Sequence, residues 1–174
     1  MVNTLLLLDI DGAVLPMRHP NILPAVDQVT LAVAIPPRVP ASVSVRPAVI
    51  DAIKRWTVSG TDVQWLTSWG WRTKWLDQIG LPQLPIFYDP EPGEVFMWGR
   101  SGLSWKRPAV SEFLERQTEG VRLVWVDDDS FYASYGDELR GTYDQLEDLL
   151  LVQPDSFVGL TDEDLRRIDG FLSP

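Results

Sequence analysis

Four short stretches of this chain concentrate oxygen and amine groups that could act together. They are Asp9-Ile10-Asp11-Gly12, Thr67-Ser68, Lys106 and Asp127-Asp128-Asp129. Three or more carboxylates held close together repel and do not all stay ionised without a cation. Oxygen ligands with no nitrogen or sulfur among them favour Mg²⁺, which takes one or two carboxylates plus waters and a substrate phosphate. A lysine and a hydroxyl beside a metal can hold the remaining phosphoryl oxygens, and aspartate is a covalent nucleophile toward phosphorus. In Asp9-x-Asp11, strand geometry continued past Asp9 would point both carboxylates to the same side. One could then attack phosphorus while the other handles the leaving-group proton. Gly12 permits the tight backbone turn that follows.

Composition narrows the alternatives. The 174 residues contain no cysteine, which excludes disulfide frameworks, Cys-ligated zinc, iron–sulfur clusters and a cysteine nucleophile. His19 is the single histidine, so a histidine-rich metal site is excluded and any Ser-His-Asp triad would rest on it. Fifteen basic against twenty-five acidic side chains give a net charge of −10, which argues against general duplex nucleic-acid binding. The N-terminus lacks the basic region of a signal peptide, and no stretch approaches the roughly 18 apolar residues of a membrane span. The expectation is a cytoplasmic protein.

The reactive stretches need elements to carry them. Thr4–Asp9 reads as a buried strand that ends in acid. Residues 28–35 and 41–46, rich in β-branched side chains and separated by Pro36, Pro37 and Pro40, predict a hairpin-like flap. Pro47 starts a helix that carries Val49, Ile50, Ile53 and Trp56 and stops near Gly60. Asp62–Thr67 predicts a second strand, Trp71–Ile79 a helix closed by Gly80, and Leu84–Tyr88 a third, short strand. Arg107–Gln117 predicts a helix with Pro108 in its first turn. Val121–Val126 predicts a strand that runs into Asp127. Leu146–Val152 is a fifth strand or a helix end; periodicity does not decide. Thr161 to Asp164 resembles a capping box before a last helix to Phe171.

Alternating strands and helices predict a Rossmann-like three-layer α/β/α sandwich. Its mostly parallel sheet would have about five strands, with the flap inserted over residues 13–47 and no large cap, in one domain over residues 1–174. Ligands in such folds sit outside the carboxyl ends of the strands, where Asp9, Thr67 and Asp127 are expected. Lys106 falls at the start of a helix, where the helix dipole disfavours a cation; this points to a special reason for its presence.

Leu-Leu-Leu-Leu-Asp9-Ile-Asp11-Gly12, Trp65-Leu-Thr67, Lys106 and Val124-Trp-Val-Asp127-Asp128, in that order, resemble the four motifs of the haloacid dehalogenase superfamily. In detail the chain is similar to small domains of this family from actinobacteria and their phages, in which Trp-x-Thr-x-Trp follows the second strand. The resemblance implies a phosphomonoester hydrolase with Asp9 as the nucleophile that forms an aspartyl-phosphate. Asp11 would protonate the leaving oxygen and then activate water, its backbone carbonyl also ligating Mg²⁺. Thr67 would hydrogen-bond the transferring phosphoryl group, with Ser68 in its place if the strand register is one residue off. Lys106 would neutralise charge on that group and on Asp9. Asp127 would complete the metal shell, with Asp128 as a further ligand or a support. Family members without a large cap often act on large substrates or borrow a neighbouring subunit as a lid, so a homodimer is one expectation.

Other side chains bear on the substrate. Trp56, Trp65, Trp75 and Trp125 fall on apolar faces and read as core. Trp69 and Trp71 could line the site mouth and stack on a base or sugar, or could simply pack. Trp98 and Trp105 flank the segment before Lys106 and could form another wall. Arg72, Lys74, Arg100 and Arg107 are candidates for a second anionic group, or ordinary surface charges. The expected partner is a phosphorylated small molecule, nucleotide or nucleic-acid end. A binding or regulatory module with little catalysis is the competing class.

Overall fold

A computed structural model describes residues 3–18, 21, 27–33, 41–89, 103–129, 131 and 134–173. The elements are β1 (Asn3–Leu8), β2 (Val29–Val33), β3 (Ala41–Val45), α1 (Pro47–Val58), β4 (Asp62–Trp65), a 3₁₀ helix (Gly70–Ile79), α2 (Leu103–Glu115), β5 (Val121–Val126), α3 (Tyr135–Thr142), β6 (Leu146–Val152) and α4 (Asp162–Leu172). Strands β4, β1, β5 and β6 lie in that order in one sheet, and every pairing in it is parallel. β2 and β3 form a separate antiparallel hairpin, the described part of the predicted flap.

The period-2 alternation of β1 divides the core. Leu6 and Leu8 join Val49, Ile53 and Trp56 of α1 and Leu165 and Ile168 of α4 on one face. Leu5 and Leu7 join Val110 and Leu114 of α2 and Leu139 of α3 on the other. The Rossmann-like α/β arrangement, a parallel sheet flanked by helices, follows from this split. Both faces of β1 are covered, so its run of leucines is buried throughout, as parallel central strands require. Trp56, Trp65 and Trp125 are buried as expected, while Trp75 is half-buried. No helix among the described residues is long and apolar enough to cross a membrane.

Several expectations are corrected. The sheet has four strands, not five. Leu84–Tyr88 makes a single bridge, Ile86 beside Trp65. Trp65 N–H donates to Pro85 O at 2.8 Å and Phe87 N–H to Trp65 O at 2.8 Å. Pro82 and Pro85 have no N–H to give, so the ladder does not lengthen. Trp71–Ile79 lies in a 3₁₀ rather than an α-helix, though Gly80 closes it at φ 85°, as its type predicts. α2 begins four residues earlier than expected, which places Lys106 in its first turn and Pro108 inside it. α3 was not expected at all: Gly136 and Gly141 dilute its pattern, and only Tyr135 and Leu139, four residues apart, are buried.

The capping box before α4 is present. Thr161 Oγ1 accepts from Asp164 N–H at 3.2 Å, and the Asp164 carboxylate accepts from Thr161 N–H at 2.9 Å. Thr161→Ala is expected to lower stability by about 1 kcal/mol in urea unfolding with the slope unchanged. A loss below a few tenths would show that the box is not holding α4.

Candidate active site

Register alone brings two carboxylates together. Leu8 pairs with Val126, and the ladder runs one residue further: Asp9 N–H donates to Val126 O at 2.9 Å, and Asp127 N–H to Val152 O at 3.1 Å. Asp9 and Asp127 therefore stand abreast at the ends of adjacent parallel strands, about 4.8 Å apart in backbone. Asp9 shares its parity with Leu5 and Leu7, and Asp127 shares its own with Leu123 and Trp125. Both thus point toward the face covered by α2.

Lys106 comes from that helix and sits between them. Its Nζ lies 2.9 Å from Asp9 Oδ2 and 2.7 Å from Asp127 Oδ2. All three residues are buried, at 7 %, 3 % and 0 % exposure for Asp9, Lys106 and Asp127. Burial by itself would lower the Lys106 pKa, but the two carboxylates more than offset it, and its pKa is raised. A first-turn lysine set against the helix dipole is accounted for by this pair of anions. Trp125 Nε1 also donates to Asp127 Oδ2, at 3.2 Å, and Asp129 N–H to Asp127 Oδ1, at 3.2 Å.

Asp128 completes the acidic group. One carboxylate oxygen from each of Asp9, Asp127 and Asp128 lies within 4.8 Å of the others. Gly12 makes room for this: it sits at φ 74°, and an added Cβ would fall 2.1 Å from Asp128 Oδ2. The turn Asp11–Leu15 is closed by Gly12 N–H to Leu15 O and Leu15 N–H to Ile10 O, both at 2.8 Å. Met17 N–H to Ser156 O (2.8 Å) and Leu160 N–H to Ala13 O (2.9 Å) pin it to the loop after β6. That loop supplies Ser156, whose hydrogen bond to Asp128 partly offsets the upward push of burial on that carboxyl.

The electrostatic sum leaves the cluster with excess negative charge. One ammonium faces three carboxylates in a desolvated pocket. Burial pushes Asp9 up to about 7, against the pull of Lys106 and with the push of Asp127. Asp127 is raised as well, again chiefly by burial. All-oxygen donors carrying more negative charge than Lys106 neutralises suit a hard divalent cation such as Mg²⁺. Asp9, Asp127 and Asp128 are the carboxylates that would hold it.

The remaining expected residues divide. Thr67 is buried at the end of β4, and its Oγ1 accepts from Trp69 N–H at 3.4 Å. Leu66 N–H reaches Leu8 O at 2.9 Å, so Thr67 stands one step beyond the level of Asp9. Ser68 is exposed. The chain leaves strand geometry after Asp9, so Asp11 is exposed; its carboxylate stands outside the three-aspartate cluster, and its Oδ2 accepts from Trp69 Nε1 at 2.9 Å. Trp71 is 52 % exposed, with Lys74 Nζ 5.0 Å and the Arg72 guanidinium 5.7 Å from its ring centre. Trp105 is not an open wall; it is buried and stacks on Tyr88. Arg107 is half-buried with its guanidinium over Tyr135. His19, Trp98 and Arg100 lie outside the described residues.

Two supporting residues were not expected in the site. Trp125 carries a signal, since it stands two residues before Asp127 on the same strand face. Ser156 carries none, because a loop far along the chain brings it in. No protein-family model, no curated protein and no solved structure matches the chain.

The raised Asp9 has a measurable sign. Its carboxyl has a pKa of about 7 when folded and an ordinary 3.8 when unfolded. Between these values the folded state holds a proton that the unfolded state has lost, so this group's contribution falls as pH rises from about 4 to about 7. In EDTA, wild type is expected to lose stability relative to Asp9→Asn across that window. Mg²⁺ is expected to restore it at pH 7 and above. A difference between the two proteins that is flat with pH would refute the burial argument.

Proposed function

We propose that this chain is a Mg²⁺-dependent phosphomonoester hydrolase of the haloacid dehalogenase type that works through an aspartyl-phosphate on Asp9. The observation that carries this reading is the buried Asp9–Lys106–Asp127 group at the carboxyl ends of β1 and β5. Lys106 fixes Asp9 Oδ2 and so sets the orientation of the carboxylate plane. A Mg²⁺ held by Asp9, Asp127 and Asp128 would favour the ionised carboxylates and offset charge on the phosphoryl oxygens.

Asp9 attacks phosphorus, and the ester oxygen leaves with a proton from Asp11. Asp11 then takes a proton from the water that attacks the phosphoryl group, which releases inorganic phosphate and regenerates Asp9. The Thr67 hydroxyl and the Lys106 ammonium hold the phosphoryl oxygens during transfer. Trp71, half-exposed beside Arg72 and Lys74 two residues past the Asp11 contact of Trp69, favours a nucleotide or a nucleic-acid end over a sugar phosphate as substrate. A base can stack on such a ring, and the two cations suit its phosphates.

Phosphate release from a panel of sugar phosphates, nucleotides and 5′- or 3′-phosphorylated oligonucleotides tests the reading. Turnover is expected with Mg²⁺ and not in EDTA, and Asp9→Asn should lower it by at least about a thousandfold while the protein stays folded. Asp9→Asn turnover within tenfold of wild type would overturn the mechanism. Trp71→Ala is expected to raise KM for nucleotides roughly tenfold and leave sugar phosphates little changed. Equal effects on both classes would remove the stacking argument.

A further inference from the structure

We infer that Trp69 is a positioning residue for the acid–base group, holding the Asp11 carboxylate through its indole N–H; the inference rests on the hydrolase reading above. Asp11 is exposed on the turn that follows β1, and a carboxylate there is otherwise free to rotate. Trp69 Nε1 donates to its Oδ2 at 2.9 Å across 58 residues of sequence.

The donor is itself held. Trp69 N–H donates to Thr67 Oγ1 at 3.4 Å, so the Thr67 hydroxyl helps shape the turn that aims the indole. The next residue, Gly70, lies at φ 51°, and a Cβ there would fall 2.7 Å from Asp89 Oδ1. The Trp69 ring is half-buried and packs against the core cluster that contains Leu8 and Trp65.

An indole suits this task better than a cation. A lysine or arginine would tie the carboxylate into an ion pair. The indole N–H orients the group without adding a charge. It also selects an atom: with Oδ2 accepting from the indole, the proton of the acid form sits on Oδ1. In the first half-reaction the bond from the Asp9 oxygen to phosphorus forms and the phosphorus–ester oxygen bond breaks. The Oδ1 proton goes to the departing oxygen, which leaves as the alcohol. In the second, water attacks phosphorus, the Asp9–phosphorus bond breaks, and a water proton returns to Asp11.

The test uses leaving groups. An aryl phosphate such as p-nitrophenyl phosphate departs without protonation, whereas a primary alkyl phosphate needs the acid. kcat/KM covers steps only through transfer to Asp9, so the ratio of the two values isolates proton delivery. Trp69→Phe is expected to raise the aryl-to-alkyl ratio roughly ten- to a hundredfold. Benzothienylalanine at position 69, which keeps the bicyclic shape and lacks the N–H, should do the same and carries the test if the phenylalanine variant does not fold. Asp11→Asn should shift the ratio in the same direction, and adding Trp69→Phe to it should move the ratio no further. An unchanged ratio with KM raised for every substrate would overturn the assignment, as would a full Trp69→Phe effect in the Asp11→Asn background. Wild type that turns over neither ester would overturn the hydrolase reading itself, and this assignment with it.

Discussion

The candidate site depends on one ammonium placed between two buried carboxylates. Without Lys106, Asp9 and Asp127 would stand side by side in a desolvated pocket with no counter-charge, and burial of that kind costs several kcal/mol per ion. With it, the pair is tied together, yet the group still carries excess negative charge once Asp128 is counted. That imbalance gives the pocket a charge and a donor set that a hard divalent cation would complement. Burial is the chief cause that raises the pKa values of both Asp9 and Asp127.

Two tryptophans handle the aspartates by a common device. Trp125 Nε1 donates to Asp127 and Trp69 Nε1 to Asp11. A neutral N–H on a rigid, well-packed ring fixes a carboxylate in space without cancelling its charge. The tryptophans that look like surplus apolar mass thus include two that orient carboxylate oxygens. Trp65 and Trp56, by contrast, serve the core; the Trp56 N–H is used up by Asp169 at 2.6 Å, which ties α1 to α4.

Much of the scaffold was legible because its signals are local. The leucine run before Asp9, the six residues before Asp127 and the Thr161 capping box each announce an element through nearest neighbours. Sequence and structure part where neighbours compete. Pro82 and Pro85 removed donors from a segment whose apolar pattern suggested a strand. Pro108 suggests a first turn at its own position, whereas α2 starts further upstream, at Leu103. Tyr135 and Leu139 gave too small an apolar face for α3 to be recognised, since packing on Trp125 and Leu149 sustains that helix more than its own propensity does.

By itself the sequence determined which groups would stand at the carboxyl ends of the strands: Asp9, Thr67 and Asp127, with Lys106 near a helix start. Strand ends follow from hydrophobic runs, and parity follows from a period of two, so both are written in consecutive residues. Tertiary structure alone decided which of these groups touch. Lys106 lies 97 residues past Asp9, and only the packing of α2 on the sheet sets its distance to both carboxylates. The exposure of Asp11, its capture by Trp69, the approach of Ser156 to Asp128 and the room that Gly12 leaves for that carboxylate are decided the same way. Each is a contact between segments whose separation in sequence carries no information about their separation in space.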